Sequence, residues 1–148
     1  MDNLIEKLDD KINLEKKCAL MSDVYFHDVE KIINSELFKE IPYNDRNYKR
    51  YTVYIDDLYE IILIEWDKNS ESSIHDHGEN GCIFRILKGF LLEEIYKEKN
   101  LITTSILSEN DTSYINNSIG YHKIYNKYHD KTYSLHLYSP PNYIANTY

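Results

Sequence analysis

The stretch Ser134-Leu135-His136-Leu137-Tyr138 alternates polar and apolar side chains without a break. A side-chain period of two belongs to a β-strand, so Ser134, His136 and Tyr138 share one face and Leu135 and Leu137 the other. Two arrangements satisfy this pattern. Either the leucines fill the core and the polar groups meet water, or the polar face turns inward as a row of hydroxyl, imidazole and phenol beside a buried site. Each of those three groups both donates and accepts, so they can chain. Ser139-Pro140-Pro141 ends the strand, and the peptide before Pro140 is open to either isomer.

Working back along the chain, similar short runs rich in Ile, Tyr, Val and Leu occupy Tyr51–Ile55, Leu58–Trp66, Cys82–Leu87, Phe90–Lys97, Leu101–Leu107, Tyr121–Tyr125 and Thr132–Tyr138. Turn signals separate them every 8 to 12 residues or so, which indicates an all-β sandwich or barrel. Lys88-Gly89, Glu98-Lys99-Asn100 and Glu109-Asn110-Asp111 read as tight hairpin turns. The first 42 residues differ. Leu4, Ile5, Leu8 and Ile12 recur at helical spacing, and Ser22 or Asp23 caps a second run through Val24, Val29, Ile32, Ile33 and Leu37. Pro42 and the polar residues after it break that pattern. The expectation is a single domain over 1–148, mainly β, with a small helical segment over 1–42 packed on an antiparallel barrel over 48–141.

Composition narrows the function. The 148 residues carry 17 Lys+Arg against 25 Asp+Glu, a net charge of −8, which opposes nucleic acid or anionic membrane as a partner. No apolar run approaches the roughly 20 residues of a membrane span, and Leu58–Trp66 contains Glu60 and Glu65. The opening residues are charged throughout and lack the apolar stretch of a signal peptide. Cys18 and Cys82 make no disulfide framework. A cytoplasmic location is expected. Fifteen tyrosines against four Phe and one Trp fit codon bias, and composition does not say which hydroxyls line a site.

Chemistry concentrates in the histidines. In Ser72-Ser73-Ile74-His75-Asp76-His77 two imidazoles lie two residues apart, so on an extended chain both reach one point while Asp76 faces away and serves structure. His122, after Ile119-Gly120-Tyr121, is a candidate third partner from a distant strand. Such a trio makes a three-nitrogen face for a metal, and imidazole suits Zn, Cu, Fe and Ni alike. His27 and His129 lack that context and read as ordinary surface or core residues.

These segments together resemble the cysteine dioxygenase family, the thiol dioxygenase branch of the cupin superfamily. The resemblance is carried by Tyr48-Lys49-Arg50, by Trp66, by Ser72–His77 with Cys82 following, by Tyr114-Ile115-Asn116-Asn117-Ser118-Ile119-Gly120-Tyr121-His122, and by Ser134–Pro141. It implies a cupin barrel (double-stranded β-helix, or jelly roll) holding one Fe(II) per chain on His75, His77 and His122. It implies an enzyme of cysteine catabolism that oxidises L-cysteine with O₂ to the sulfinic acid, incorporating both oxygen atoms. By the same resemblance Arg50 binds the substrate carboxylate and Tyr48 assists it. Cys82 and Tyr138 match a pair that some members join by a thioether bond, with Ser134 and His136 orienting the phenol. Trp66 reads as packing without a chemical role, Arg46 as a surface residue, and Cys18 as inert.

Longer members of the family continue beyond the position of Pro141 with a strand that covers part of the site. With seven residues after Pro141, pocket closure is expected to suffer, which leaves a minimal enzyme, a weak one, or one that dimerises to cover the exposed edge; a monomer or weak dimer is expected. The nearest rival is a dioxygenase for another small thiol acid, 3-mercaptopropionate, whose relatives typically lack an arginine at the position of Arg50. The others are a metal-binding cupin without catalysis, and a zinc or nickel site with different chemistry.

Overall fold

The computed structural model describes residues 40–41 and 48–148. Strand β3 (Glu60–Trp66) is buried at all seven positions. A strand buried on both faces must lie inside a sheet, and β3 pairs with β2 (Tyr48–Ile55) on one side and β9 (Thr132–Tyr138) on the other. Beyond β9 come β4 (Cys82–Lys88) and β7 (Thr112–Ile115), and β1 (Glu40–Ile41) closes the opposite end. The resulting six-stranded sheet has the order β1-β2-β3-β9-β4-β7. A second sheet has the order β6-β5-β8, from β5 (Phe90–Lys97), β6 (Asn100–Ser108) and β8 (Tyr121–Tyr125). All strand pairs in both sheets are antiparallel.

The core lies between the sheets. Ile62, Ile64, Trp66, Phe84 and Ile86 of the large sheet meet Leu91 and Ile124 of the small one. Burying these side chains contributes roughly 1.5–3 kcal/mol each relative to exposure. Register then decides how the alternation in β9 is used. Ser134 sits opposite Ile64 and Ile86, and His136 opposite Ile62 and Phe84. Directly opposed residues share a face. The polar row therefore points into the core, and Leu135 and Leu137 lie on the outer face, where they too are buried. Of the two arrangements the alternation allows, the inward polar row is the one found.

Three expectations need correction or addition. Lys88-Gly89 is not a hairpin: β4 pairs with β7 and β9, whereas β5 pairs with β6 and β8, so this turn carries the chain from one sheet to the other. Gly89 has φ +85° and lies against Thr132, where a Cβ would collide. Glu109-Asn110-Asp111 is likewise a crossing, from β6 back to the large sheet. Glu98-Lys99 does form a two-residue hairpin; φ of 53° and 67° matches strand twist as a type I′ turn does. Thr112–Ile115, of which the sequence reading takes in only Tyr114 and Ile115 and those as part of a motif, is a strand. The helical reading of residues 1–42 lies outside the described residues, except that Glu40 and Ile41 are extended and pair with Tyr51 and Arg50. Among the described residues no helix is long and apolar enough to cross a membrane, and the Ser139-Pro140 peptide is cis.

Candidate functional site

His75 and His77 do not sit in a named strand. They lie on a loop that runs antiparallel to β8, bound to it by Ser72 N to Ile124 O (2.8 Å), His75 N to His122 O (3.0 Å) and His122 N to His75 O (3.2 Å). The His75–His122 bridge sets these two residues side by side. Asn117 then clamps the backbone of His77: its side chain accepts from His77 N at 3.0 Å and donates to His77 O at 2.8 Å. Neighbouring Asn116 holds the turn that presents Asn117, its side-chain oxygen accepting from Ser118 N and Ile119 N. The three rings pack with centroids 4.6 to 4.9 Å apart, and their ligand nitrogens lie within 4.8 Å of one another.

Hydrogen bonding orients two of the rings. His75 Nδ1 lies 2.8 Å from the Ser73 carbonyl, which only accepts, so this nitrogen carries the proton and Nε2 holds the lone pair. His122 Nδ1 lies 2.8 Å from a Glu93 carboxylate oxygen, with the same consequence. The two Nε2 atoms then face each other at 3.0 Å, lone pair to lone pair. Without a cation this is repulsive. Nitrogens bound at about 2.1 Å and at right angles around one ion lie about 3.0 Å apart. His77 adds two buried ring nitrogens with no hydrogen-bond partner, a costly state that metal ligation would relieve. The residues present fit a metal ion.

Electrostatics agrees with neutral ligands. Burial, reinforced by the neighbouring imidazoles, lowers His77 to about 2. Burial and then His75 push His122 well below its ordinary value. Burial raises the Glu93 carboxyl even though Ser113 donates to it at 2.7 Å. Glu93 was not singled out from sequence. Its signal was the inward set Leu91, Glu93, Ile95 on β5, where an acid among apolar positions needs a buried partner.

The row on β9 lies on the same side. Trp66 Nε1 donates to Ser134 Oγ at 2.8 Å, and Ser134 Oγ lies 2.7 Å from His136 Nε2. An indole N–H only donates, so Ser134 Oγ accepts from it and keeps its own proton and a second lone pair, either of which can meet His136 Nε2. His136 Nδ1, at the other side of the ring, faces Tyr138 Oη at 3.3 Å and Cys82 Sγ at 3.8 Å. Burial, followed by the nearby His122 and Arg50, pushes His136 well below its usual range and keeps it neutral. Reading Trp66 as packing alone was incomplete, since its indole donates to Ser134.

One cavity of about 400 Å³ joins these groups, lined among others by Tyr48, Arg50, His75, His77, His122, His136 and Tyr138. Tyr48 and Arg50 share the inner face of β2, opposite Trp66 and Ile64. Tyr48 packs on Trp66 with ring centroids at 4.6 Å, and the Arg50 guanidinium lies 5.6 Å from the centre of the Tyr138 ring. Cys82 is fully buried and directly opposite Tyr138 in the ladder. Asp76 points away from the imidazoles, as expected. Burial would raise its carboxyl, but bonds from Asn146 and Tyr143 outweigh that and hold it below the usual range. Beyond Pro141, Tyr143, Ile144, Ala145 and Thr147 form part of the cavity wall.

Comparison with known proteins agrees. The sequence profile described as cysteine dioxygenase type I matches residues 9–148. Cysteine dioxygenase type 1 of Homo sapiens is 31% identical over 144 residues, covering 89% of this chain and 68% of its own length. The Bos taurus protein of that name is 40% identical over 91 residues, covering 56% of this chain and 46% of its own. The chain spans about half the length of several of the curated relatives it matches. Among solved structures, a cupin-2 domain from Rhodospirillum rubrum superimposes with a TM-score of 0.65 at 13% identity, covering 78% of each chain. An RmlC-like cupin from Shewanella frigidimarina gives 0.59 at 14%, covering 73% of this chain and 88% of its own. These structural likenesses show the cupin fold alone, whereas the sequence match is nearly end to end: the chain belongs to the cysteine dioxygenase type I family.

Proposed function

We propose that the protein oxidises L-cysteine with O₂ to cysteine sulfinic acid at one Fe(II) held by His75, His77 and His122. The observation that carries this reading is the convergence of three imidazoles on one cavity that also holds Arg50 and Tyr138. Bound Fe(II) would supply a redox-active cation that brings a thiolate and O₂ into reaction.

The chain's own residues do the rest. Three uncharged ligands add no negative charge, so the site favours an anionic partner such as a thiolate over a neutral thiol. Arg50 binds the carboxylate through its planar fork, and Tyr48 supports that end of the cavity. Fixing the substrate's carboxylate orients its thiol and replaces a chance encounter with a positioned one. Tyr138 lines the cavity with its phenol, and His136 Nδ1 lies 3.3 Å from the phenol oxygen, where it orients the hydroxyl. Cys82 and Tyr138 form a thioether, in which the thiol S–H and a ring C–H are replaced by an S–C bond and two electrons and two protons pass to O₂; the link holds the phenol in place and lowers the cost of ordering it.

The test is an oxygen-electrode trace of iron-loaded protein with L-cysteine, together with metal analysis and product identification. One O₂ consumed per cysteine with sulfinic acid formed supports the reading. Faster turnover of 3-mercaptopropionate would replace the substrate. Metal retention without O₂ uptake on any thiol would make the protein a binding cupin.

A further inference from the structure

The wall formed by Asn142–Tyr148 is held unlike an ordinary surface loop. At one end Asn142 N donates to the buried Glu60 carboxylate at 3.2 Å. At the other, the segment pairs with the loop that carries the imidazoles: Asp76 N donates to Asn146 O (3.1 Å) and Tyr148 N to Ile74 O (2.9 Å). The Asp76 carboxylate completes the join. It accepts from Tyr143 Oη (3.1 Å), Asn146 N (2.7 Å), Asn146 Nδ2 (2.9 Å) and Tyr148 Oη (3.4 Å). A carboxylate has about four lone-pair positions, and here one seven-residue segment supplies a donor for each. Tyr148 also stacks on Tyr121, one residue before His122, with ring centroids at 4.4 Å.

We propose that Asn142–Tyr148 is the closing wall of the pocket, latched on Asp76, and that this latch sets which thiols reach the imidazoles and how tightly they are held. Asp76 is a positioning residue: its side chain faces the segment, and only its backbone neighbours face the cavity. The geometry explains why an acid stands between His75 and His77. A single short loop shapes the imidazole cluster with one face and fastens the pocket wall with the other, so pocket and cluster assemble together. The inference rests on the proposed activity only for what passes through the pocket.

The test separates the latch from the chemistry. Asn146→Ala/Tyr148→Phe breaks the join from the segment's side and leaves the imidazole loop unaltered. In the metal-free full-length protein, amide hydrogen exchange of peptides covering 142–148 should be about tenfold faster or more in this variant than in wild type. In the iron-loaded protein the KM for cysteine should rise about tenfold with kcat changed less than about threefold, and the preference for cysteine over homocysteine should narrow. Asp76→Asn should act in the same direction and add nothing in the Asn146→Ala/Tyr148→Phe background. Exchange over 142–148 as fast in wild type as in the variant would overturn the proposal. So would faster exchange with KM and thiol preference unmoved. If iron-loaded wild type oxidises no thiol, cysteine affinity measured by calorimetry replaces KM in the same comparison, and the failed reading is the activity rather than the latch.

Discussion

Cys82 and Tyr138 are direct partners across the β4–β9 ladder, and both approach His136 Nδ1, the sulfur at 3.8 Å and the phenol oxygen at 3.3 Å. Side chains directly opposite in an antiparallel pair have Cβ atoms about 4.5–5.5 Å apart. A thioether between them therefore needs no rearrangement of the sheet. The expected outcome is a doublet on a denaturing gel for turned-over wild type that disappears in Cys82→Ala. That variant should work more slowly, with a smaller loss than Tyr138→Phe. A doublet that survives Cys82→Ala would rule this pair out.

Arg50 is the cavity's carboxylate clamp in this reading. Removing one partner of a buried charge pair costs roughly 2–5 kcal/mol. Arg50→Ala should therefore raise the KM for cysteine about 30-fold or more. Cysteamine, which has no carboxylate, should be insensitive to the change. Equal effects on both thiols would take Arg50 out of substrate binding.

Glu93 fixes the protonated nitrogen of His122 and keeps the other available for metal. Loss of such a partner typically lowers metal affinity about 10- to 100-fold. Glu93→Ala should fall in that range and Glu93→Gln at its weaker end, because an amide oxygen still accepts from Nδ1–H. His122→Ala should abolish iron binding altogether. Competition against a chelator of known affinity measures all three.

Stability should fall in mild acid. His136 is held neutral by burial well below its ordinary value of 6.5. Below pH 6.5 the unfolded chain takes up a proton that the folded chain refuses, so stability is full above that pH and drains away as pH falls. Each such histidine contributes about 1.4 kcal/mol per pH unit in that window. Urea titrations of metal-free protein between pH 7 and 5.5 should show the decline, and His136→Gln should flatten it by about one histidine's share. A slope unchanged in His136→Gln would mean that His136 is protonated in the fold.

Much of the molecule was legible because its signals are local. The two-residue alternation of Ser134–Tyr138 fixes a strand whatever surrounds it, and the spacing of His75 and His77 puts both on one side of an extended chain. What escaped was non-local. A glycine turn such as Lys88-Gly89 looks the same whether its flanking strands pair or part, and here each flanking strand pairs with strands from far along the chain. Glu93 shares a face with Leu91 and Ile95, but the partners that make it functional, His122 and Ser113, arrive only with β8 and β7. The partner of Asp76 is a segment about seventy residues away, with no motif of its own.

The bond from Trp66 to Ser134 has one more consequence. The indole fills one accepting position of Ser134 Oγ and leaves the hydroxyl's proton and second lone pair to the imidazole side. A phenylalanine there would take that donor away, so a buried oxygen would have one bond fewer directly beside the imidazole.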